Sequence, residues 1–228
     1  MVSASVSVRR CSLSSASTEL VSKSVSERPE TDERTGPEPG SGQQAWPRLT
    51  VVSGPSGVGK SSVVTELRKL LPTAFVSVSV TTRAARTGEV DGVDYYFVDD
   101  ATFDRMVRDG ELLEYAEFAG NRYGTPRAPV EHALTRGTQP VLEIELQGAR
   151  QVRMAMPDAR LVMLVPPTWS DLVGRLTSRG TEQSDAVYAR LSEAEAELAA
   201  AGEFDAQVVN DDLQTTAQRL LDLITEDS

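Results

Sequence analysis

The sequence predicts an α/β fold in which a mainly parallel sheet lies between layers of helices, and three observations support this prediction. An apolar run at residues 49–52 leads through a glycine-rich loop into a segment with apolar residues at helical spacing. Residues 161–165 are continuously apolar, as expected of a parallel strand that is buried on both faces. With 228 residues, 39% hydrophobic and 25% charged, the chain is large enough to bury one good core.

Composition narrows the possible classes of function. The formal net charge is −11, so no global field attracts DNA or an anionic membrane. No apolar run approaches the roughly 18 residues that a membrane-spanning helix requires. The only cysteine, Cys11, cannot form an intrachain disulfide or a metal site, which fits a reducing compartment. We therefore expect a cytoplasmic protein that acts on small molecules, without nucleic acid or membrane as a partner.

Residues 1–47 are predicted to be a disordered tail. Ten of the first 28 residues are serine, and residues 27–42 are rich in proline, glycine and charge, so little can be buried. A transit peptide is an alternative for the first part, since it is serine-rich and carries Arg9 and Arg10. That alternative would make the protein organellar, and a regulatory tail is a third possibility.

The glycine-rich loop matches G-x-x-x-x-G-K-S, the phosphate-binding loop between a strand and a helix. Its glycines let backbone N–H groups turn towards an anion, and the helix N-terminus adds about half a positive charge. Lys60 can reach the β- and γ-phosphates, and Ser61 can help to hold Mg²⁺. The alternative is a simple turn without a ligand. The residues predicted to bind a nucleoside triphosphate are Gly54, Pro55, Ser56, Gly57, Val58, Gly59, Lys60, Ser61 and Ser62.

The segment after Pro72, which ends the first helix, predicts a small, mostly β insertion. Residues 75–80 alternate between apolar and serine, which indicates a strand. The following predicted elements are a short aromatic strand within residues 91–98, a helix at 100–109, a strand at 112–118 and a turn at 121–126.

Arg83 and Arg86 lie three residues apart in the loop after the alternating strand. Because arginine offers a planar, bidentate fork, this pair could clamp one phosphate group. Two solvated surface arginines are the alternative.

The main sheet continues beyond residue 128. A helix is predicted at residues 129–136 and a strand at 141–146, with Glu143 and Glu145 about 7 Å apart on one face of it. Carboxylates on a core strand are costly unless they bind something, although an exposed strand face is the alternative. A further helix is predicted at residues 147–156.

The C-terminal part predicts a helical pair and the closing elements. Helices are expected at residues 168–179 and 182–201, and Arg175, Arg179 and Arg190 flank the turn between them. A last strand at residues 206–209 precedes Asn210, at a strand end where an adenine edge could be read. A final amphipathic helix is predicted at residues 213–225, and the only histidine, His132, is expected at the surface.

Five ordered motifs make the chain resemble the guanylate kinase family from about residue 48 to residue 224. They are SGPSGVGKS at residues 53–61, SVSVTTRAARTGE at 77–89, DYYF at 94–97, GNRYGT at 120–125 and QGA at 147–149. The resemblance implies a P-loop three-layer fold with a small mixed β GMP-binding insertion and a helical lid. Its implied divisions are a core (residues 48–80, 128–166 and 203–228), the insertion (81–127) and the lid (167–202).

The resemblance also implies roles for individual residues. Matching positions assign the GMP phosphate to Arg83, Arg86, Tyr95 and Tyr123, and the guanine base to Glu114, Ser79 and Thr125. Glu143 and Glu145 stand where the family usually carries two aspartates, near the guanine, Mg²⁺ and phosphates. The lid arginines Arg175, Arg179 and Arg190 are expected at the phosphates and Asn210 at the adenine.

The implied reaction is transfer of the γ-phosphate of ATP to GMP, and to dGMP, with Mg²⁺ as the cofactor. Such an enzyme serves purine nucleotide metabolism and the recycling of GMP. Two alternatives are a kinase for another acceptor such as AMP and a non-catalytic scaffold domain that binds phosphorylated peptides. An intact phosphate loop argues against the second, and a carboxylate at Glu114 against the first.

Overall fold

The computed structural model describes residues 47–118, 120–177 and 184–226, with side chains except at 184–186. The predicted tail up to residue 46 and Arg179 of the predicted lid lie outside the described residues. Within them the predicted α/β fold is confirmed, with one parallel sheet, one smaller mixed sheet and flanking helices.

The strands, in chain order, are β1 (Thr50–Ser53), β2 (Phe75–Val76), β3 (Val80–Thr81), β4 (Tyr96–Phe97), β5 (Leu112–Phe118), β6 (Asn121–Pro126), β7 (Pro140–Glu143), β8 (Arg160–Val165) and β9 (Ala206–Val209). The helices are α1 (Lys60–Leu70), α2 (Asp100–Arg108), α3 (Arg127–Thr135), α4 (Leu146–Ala155), α5 (Trp169–Thr177), α6 (Ser184–Ala199) and α7 (Leu213–Thr225), with a 3₁₀ turn at Ala200–Glu203. Among the helices described, none is long and apolar enough to cross a membrane.

The main sheet has the order β2-β7-β1-β8-β9, and each of its neighbouring pairs is parallel. Successive side chains of β1 point to opposite faces, as the strand period requires. Val51 packs in a cluster with Val152 of α4, whereas Val52 packs with Val63 of α1 and Leu220 of α7. The sheet is therefore the middle of three layers, and its strand ends form one edge where a ligand can bind.

The smaller sheet has the order β4-β3-β6-β5, with β3 and β4 parallel and the other pairs antiparallel. Helix α2 covers it through Phe103, which packs with Val80 and Leu112. The prediction of one strand at residues 75–80 is wrong, because β2 belongs to the main sheet, β3 to the smaller sheet and residues 77–79 to neither. The segment thus links the two sheets.

The predicted turn at residues 121–126 is also wrong, since these residues form strand β6. Asn121, Gly124 and Thr125 gave a turn-like local signal. Pairing with β5 along its length overrides that signal, because strand propensity depends strongly on context. The reversal of the chain lies earlier, at Gly120, whose φ of 72° suits glycine.

The predicted strand at residues 141–146 ends earlier than expected. Strand β7 stops at Glu143, and Glu145 is the N-cap residue of α4. The two glutamates therefore do not share one strand face, although they remain close in the chain. The predicted helix end at residue 179 and helix start at residue 182 lie outside the described residues. The other predicted helix bounds agree with the structure within two residues, and His132 is exposed on α3 as expected.

Candidate active site

The phosphate loop between β1 and α1 is made largely of backbone in conformations that favour glycine. Gly54, Gly57 and Gly59 have φ values of 144°, 81° and 101°. A Cβ atom on Gly54 would lie 2.4 Å from the carbonyl oxygen of Leu164, and one on Gly59 would lie 2.7 Å from Nδ2 of Asn210. Neighbouring elements therefore pack directly against the loop, and a Cβ at Gly54 would meet the backbone of Leu164.

Lys60 begins α1 and is buried beneath the loop. Its Nζ donates hydrogen bonds to the carbonyl oxygen of Gly54 at 2.6 Å and to Oε2 of Glu145 at 3.0 Å. The next residue, Ser61, donates from its hydroxyl to Oε1 of Glu143. The two glutamates that were predicted near the GMP site thus lie against the two residues that the loop motif assigns to phosphate and Mg²⁺.

The two lid arginines that the structure describes both contact the loop. Arg175 of α5 donates to the carbonyl oxygens of Val58 and Asn210, each at 3.1 Å. Arg190 of α6 donates to Oγ of Ser56 at 3.1 Å. Since these helices are far from the loop in sequence, the fold itself brings their guanidinium groups to the candidate phosphate site.

Asn210 also belongs to the surroundings of the loop. It is buried at the end of β9, and its Nδ2 donates to the carbonyl oxygen of Val58 at 2.7 Å. Its side chain therefore supports the loop. An additional contact with adenine stays a prediction.

The smaller sheet places a buried carboxylate beside a hydroxyl. Glu114 of β5 faces Thr125 of β6, and the Thr125 hydroxyl donates to Oε1 of Glu114 at 2.6 Å. Both side chains are buried. Burial raises the pKa of Glu114, and the hydrogen bond from Thr125 opposes this shift. Such a carboxylate, held in place and poorly solvated, suits a ligand that offers N–H donors.

Gly148 in the first turn of α4 makes room for this carboxylate. A Cβ atom there would lie 2.7 Å from Oε2 of Glu114. Sequence reasoning used Gly148 only as part of a motif and assigned it no role. A glycine inside a predicted helix was the available signal, because glycine in a helix usually reflects close packing or function.

An aromatic and cationic cluster combines Arg83, which follows β3, with Tyr95, which precedes β4, and Tyr123 of β6. The Arg83 guanidinium lies 5.3 Å from the ring centroid of Tyr95, and the rings of Tyr95 and Tyr123 lie 6.0 Å apart. Three of the four residues predicted to hold the GMP phosphate are therefore together.

Glu89, which sequence reasoning missed, organises the loop that carries both arginines. Arg83 donates to its two carboxylate oxygens at 3.0 and 2.8 Å, and the backbone N–H of Arg86 donates to Oε2 at 2.7 Å. The hydrogen bond from Arg83 holds the pKa of Glu89 below its usual range. The side chain of Arg86 is exposed. An acidic residue close behind two arginines was the signal that could have identified Glu89.

Ser79 lies where β2 passes into β3, and its carbonyl oxygen accepts from the backbone N–H of Tyr96 at 2.9 Å. This bond fixes the backbone next to Tyr95. The predicted contact of the Ser79 hydroxyl with a base stays a prediction.

The first turn of α4 connects the two groups of residues. Its N-cap residue, Glu145, binds Lys60 of the phosphate loop, and three residues later Gly148 packs against Glu114 of the smaller sheet. A cationic phosphate site and a buried carboxylate site therefore converge on one short stretch of backbone. Two ligands bound there would be held side by side.

Comparisons with known proteins agree with this arrangement. The family model described as "Guanylate kinase" matches residues 46–227. The chain is 59% identical over 191 residues to a guanylate kinase of Thermobifida fusca (strain YX), covering 84% of this chain and 97% of that protein. It is 56% identical over 184 residues to a guanylate kinase of Streptomyces kasugaensis, with coverages of 81% and 90%.

A solved structure of a guanylate kinase is also similar to this chain. The crystal structure of guanylate kinase from Anaplasma phagocytophilum has a TM-score of 0.65 to this chain at 34% identity, covering 81% of this chain and 87% of that one. With the phosphate loop and the Glu114–Thr125 pair in place, these matches establish that the chain belongs to the guanylate kinase family.

Proposed function

We propose that the protein transfers the γ-phosphate of ATP to GMP, giving ADP and GDP, and that it accepts dGMP as well. The convergence of Lys60 and Glu114 on the first turn of α4 is the observation that carries this proposal. It supports a single site with a donor half at the phosphate loop and an acceptor half at the smaller sheet. We define these as the donor half-site and the acceptor half-site.

In the donor half-site, residues 54–62 bind the triphosphate through backbone N–H groups and the N-terminus of α1. Lys60 exchanges Glu145 for the β- and γ-phosphates when ATP binds. Arg175 and Arg190, which already contact the loop, and Arg179 of the lid neutralise charge that spreads over the transferred group. Asn210 contributes to the adenine side of the site.

The donor set fits Mg²⁺ as the cofactor. The Ser61 hydroxyl lies against the Glu143 carboxylate, and hard oxygen donors of this kind suit Mg²⁺, which keeps several waters and binds substrate phosphates. Ser61 is the residue that would hold it, with Glu143 orienting the hydroxyl. Bound Mg²⁺ supplies charge neutralisation at the β- and γ-phosphates.

In the acceptor half-site, the Glu114 carboxylate accepts hydrogen bonds from the N1–H and N2–H₂ groups of guanine. The hydroxyls of Thr125 and Ser79 complete the recognition of the base. Adenine lacks these donors and would leave the buried carboxylate unpaired, which disfavours it strongly.

The GMP phosphate is held by Arg83, Arg86, Tyr95 and Tyr123. The Arg83–Glu89 pair fixes one guanidinium before GMP arrives, so less freedom is lost on binding. Glu143 and Glu145 contact Ser61 and Lys60 of the donor half-site, and we propose that they help to position GMP from the donor side.

Transfer then depends on alignment more than on covalent chemistry. The attacking oxygen of GMP is already anionic, so no histidine base is required. We propose that residues 81–127 and 167–202 act as a GMP-binding insertion and a lid on the remaining core. Their closure excludes water from the γ-phosphate. In the cell this reaction serves purine nucleotide metabolism in the cytoplasm, and a tail that acts as a transit peptide would instead direct it to an organelle.

A coupled assay for ADP, run with ATP, Mg²⁺ and each nucleoside monophosphate in turn, tests this proposal. Rapid turnover with GMP and negligible turnover with AMP are expected. Faster turnover with AMP would indicate a kinase with a different acceptor. Absence of turnover with every acceptor would favour a non-catalytic binding module.

A further inference from the structure

Glu197 of α6 is a buried acid that lies outside the predicted set of site residues. Its side chain is 6% exposed, and Oε2 has no hydrogen-bond partner among the described residues. An unpartnered carboxylate oxygen inside a protein is costly and calls for an explanation.

One stripe of α6 faces the phosphate loop. Arg190, Ala194 and Glu197 are spaced by four and three residues and so lie on one side of the helix. Arg190 donates to Ser56 of the loop, and Ala194 packs with the buried leucines of α5. Glu197, two turns beyond Arg190, faces Glu145 and Lys60. The helix therefore approaches the loop with a cation near Ser56 and an acid near Lys60.

The charges around Glu197 come from three elements. Glu145 at the N-cap of α4 and Glu193 one turn earlier on α6 are negative, and Lys60 of α1 is positive. Burial, followed by the negative charge of Glu145, raises the pKa of Glu197 to about 7, and Lys60 opposes the shift. Near neutral pH, a protonated Glu197 can donate a hydrogen bond to the Glu145 carboxylate. Two carboxyl groups then share one proton beside one ammonium group.

We propose that Glu197 is a positioning residue for phosphoryl transfer, which acts on Lys60 through Glu145 and thereby links the lid helix to the loop lysine. This inference rests on the proposed function. A neutral Glu197 leaves one negative charge beside Lys60, so the ammonium group can move to the phosphates. An ionised Glu197 adds a second charge that retains the ammonium at the glutamates and opposes ATP.

The direction of the pH effect on ATP affinity follows from thermodynamic linkage between proton binding at Glu197 and ATP binding. When Lys60 leaves the glutamates for ATP, Glu197 loses the cation that lowers its pKa, so the ATP complex holds the proton more tightly than the free protein. ATP affinity therefore falls as pH rises through the pKa of the free protein, about 7. Each unit of difference between the two pKa values corresponds to about a tenfold change in the binding constant.

The test measures the dissociation constant of ATP with Mg²⁺ by calorimetry at about pH 6 and about pH 8.5. The wild type is compared with Glu197→Gln, which keeps the shape but cannot ionise, and with Glu195→Gln, an exposed control on the same helix. Protonation of ATP itself affects the dissociation constant equally for all variants. A difference in pH dependence between variants therefore comes from the protein. We expect the wild type and Glu195→Gln to lose roughly three- to tenfold more affinity than Glu197→Gln over this range.

Parallel pH profiles for the wild type and Glu197→Gln would overturn the inference. Because the measurement uses ATP alone, it stays informative if the protein fails to turn over GMP. Steady-state kinetics provide the second readout: at about pH 8.5, Glu197→Gln should lower the KM for ATP and leave the KM for GMP unaltered. Equal changes in both constants would indicate a general structural role and contradict positioning of Lys60.

Discussion

The donor half-site is formed mainly by backbone groups and the acceptor half-site mainly by side chains. The donor half-site is mostly backbone, and its Gly54 lies so close to the backbone of Leu164 that no Cβ fits there. The acceptor half-site is made of side chains from separate segments, such as Glu114 of β5, Tyr123 of β6 and Arg83 of the loop after β3. The loop backbone cannot be altered without disturbing the fold, whereas the side chains can be changed one residue at a time.

The largest effect is expected for Lys60→Met, which removes the cation of the donor half-site. Turnover should fall by at least about 10²- to 10³-fold, because a fixed charge aimed at the transition state is lost. Multiple-turnover assays with saturating ATP and GMP measure this. Lys69→Met, an exposed lysine on the same helix, serves as the control and should retain wild-type turnover.

Gly54→Ala should be the next most damaging change, because it lowers the stability of the fold. The substitution is strained by the positive φ and brings Cβ within 2.4 Å of the Leu164 carbonyl oxygen, which belongs to strand β8. We expect a loss of about 3 kcal/mol in the free energy of unfolding. Gly88→Ala shares the positive φ, but its Cβ would meet nothing within 4 Å. Denaturant unfolding measures the free energy of unfolding of both variants, and the difference between them gives the cost of the clash. An equal loss of stability in both variants would contradict the close packing of Gly54.

Glu114→Gln should spare the fold and damage only the acceptor half-site. The glutamine keeps an oxygen for Thr125 but presents an NH₂ group to the donors of guanine. We expect kcat/KM for GMP to fall roughly 100-fold, with the KM for ATP nearly unchanged. Glu117→Gln, an exposed change on the same strand, is the control. A Glu114→Gln enzyme with wild-type kcat/KM for GMP would exclude this carboxylate as the reader of the base.

The smallest effect is expected for Gly148→Ala. Here the added Cβ meets the end of a flexible side chain, Oε2 of Glu114 at 2.7 Å, so the carboxylate can move while the backbone stays in place. We expect the KM for GMP to rise roughly three- to tenfold with little change in stability. Gly174→Ala, another helical glycine whose Cβ would meet nothing within 4 Å, is the matched control. An unchanged KM would mean that the Glu114 position seen here is not the one that reads guanine.

The same contrast explains what could be predicted from the sequence. The donor loop is contiguous, so the strand and the helix that flank it were predicted correctly. The acceptor half-site depends on the pairing of β5 with β6, and β6 carries turn-like residues such as Asn121 and Gly124, so local patterns failed there. Family resemblance, which records long-range structure indirectly, supplied Glu114 and Thr125.

Other features escaped sequence reasoning because they are contacts between distant segments. Glu145 follows the alternating pattern of β7 and was predicted to be in the strand, but the helix that begins at Leu146 makes it a cap. The approach of Gly148 to Glu114 and of Glu197 to Lys60 depends on how α4 and α6 pack. The glycine inside α4 was the one local signal for the first contact, and the Glu197 contact has none.

Calorimetric titration of GMP, without ATP, into Lys60→Met and Glu114→Gln tests the division into two half-sites most directly. We predict that Lys60→Met binds GMP with wild-type affinity, although its turnover is lost. Glu114→Gln should bind GMP more weakly by roughly 100-fold. Loss of GMP binding in Lys60→Met, or wild-type GMP affinity in Glu114→Gln, would contradict the assignment of donor and acceptor to these two regions.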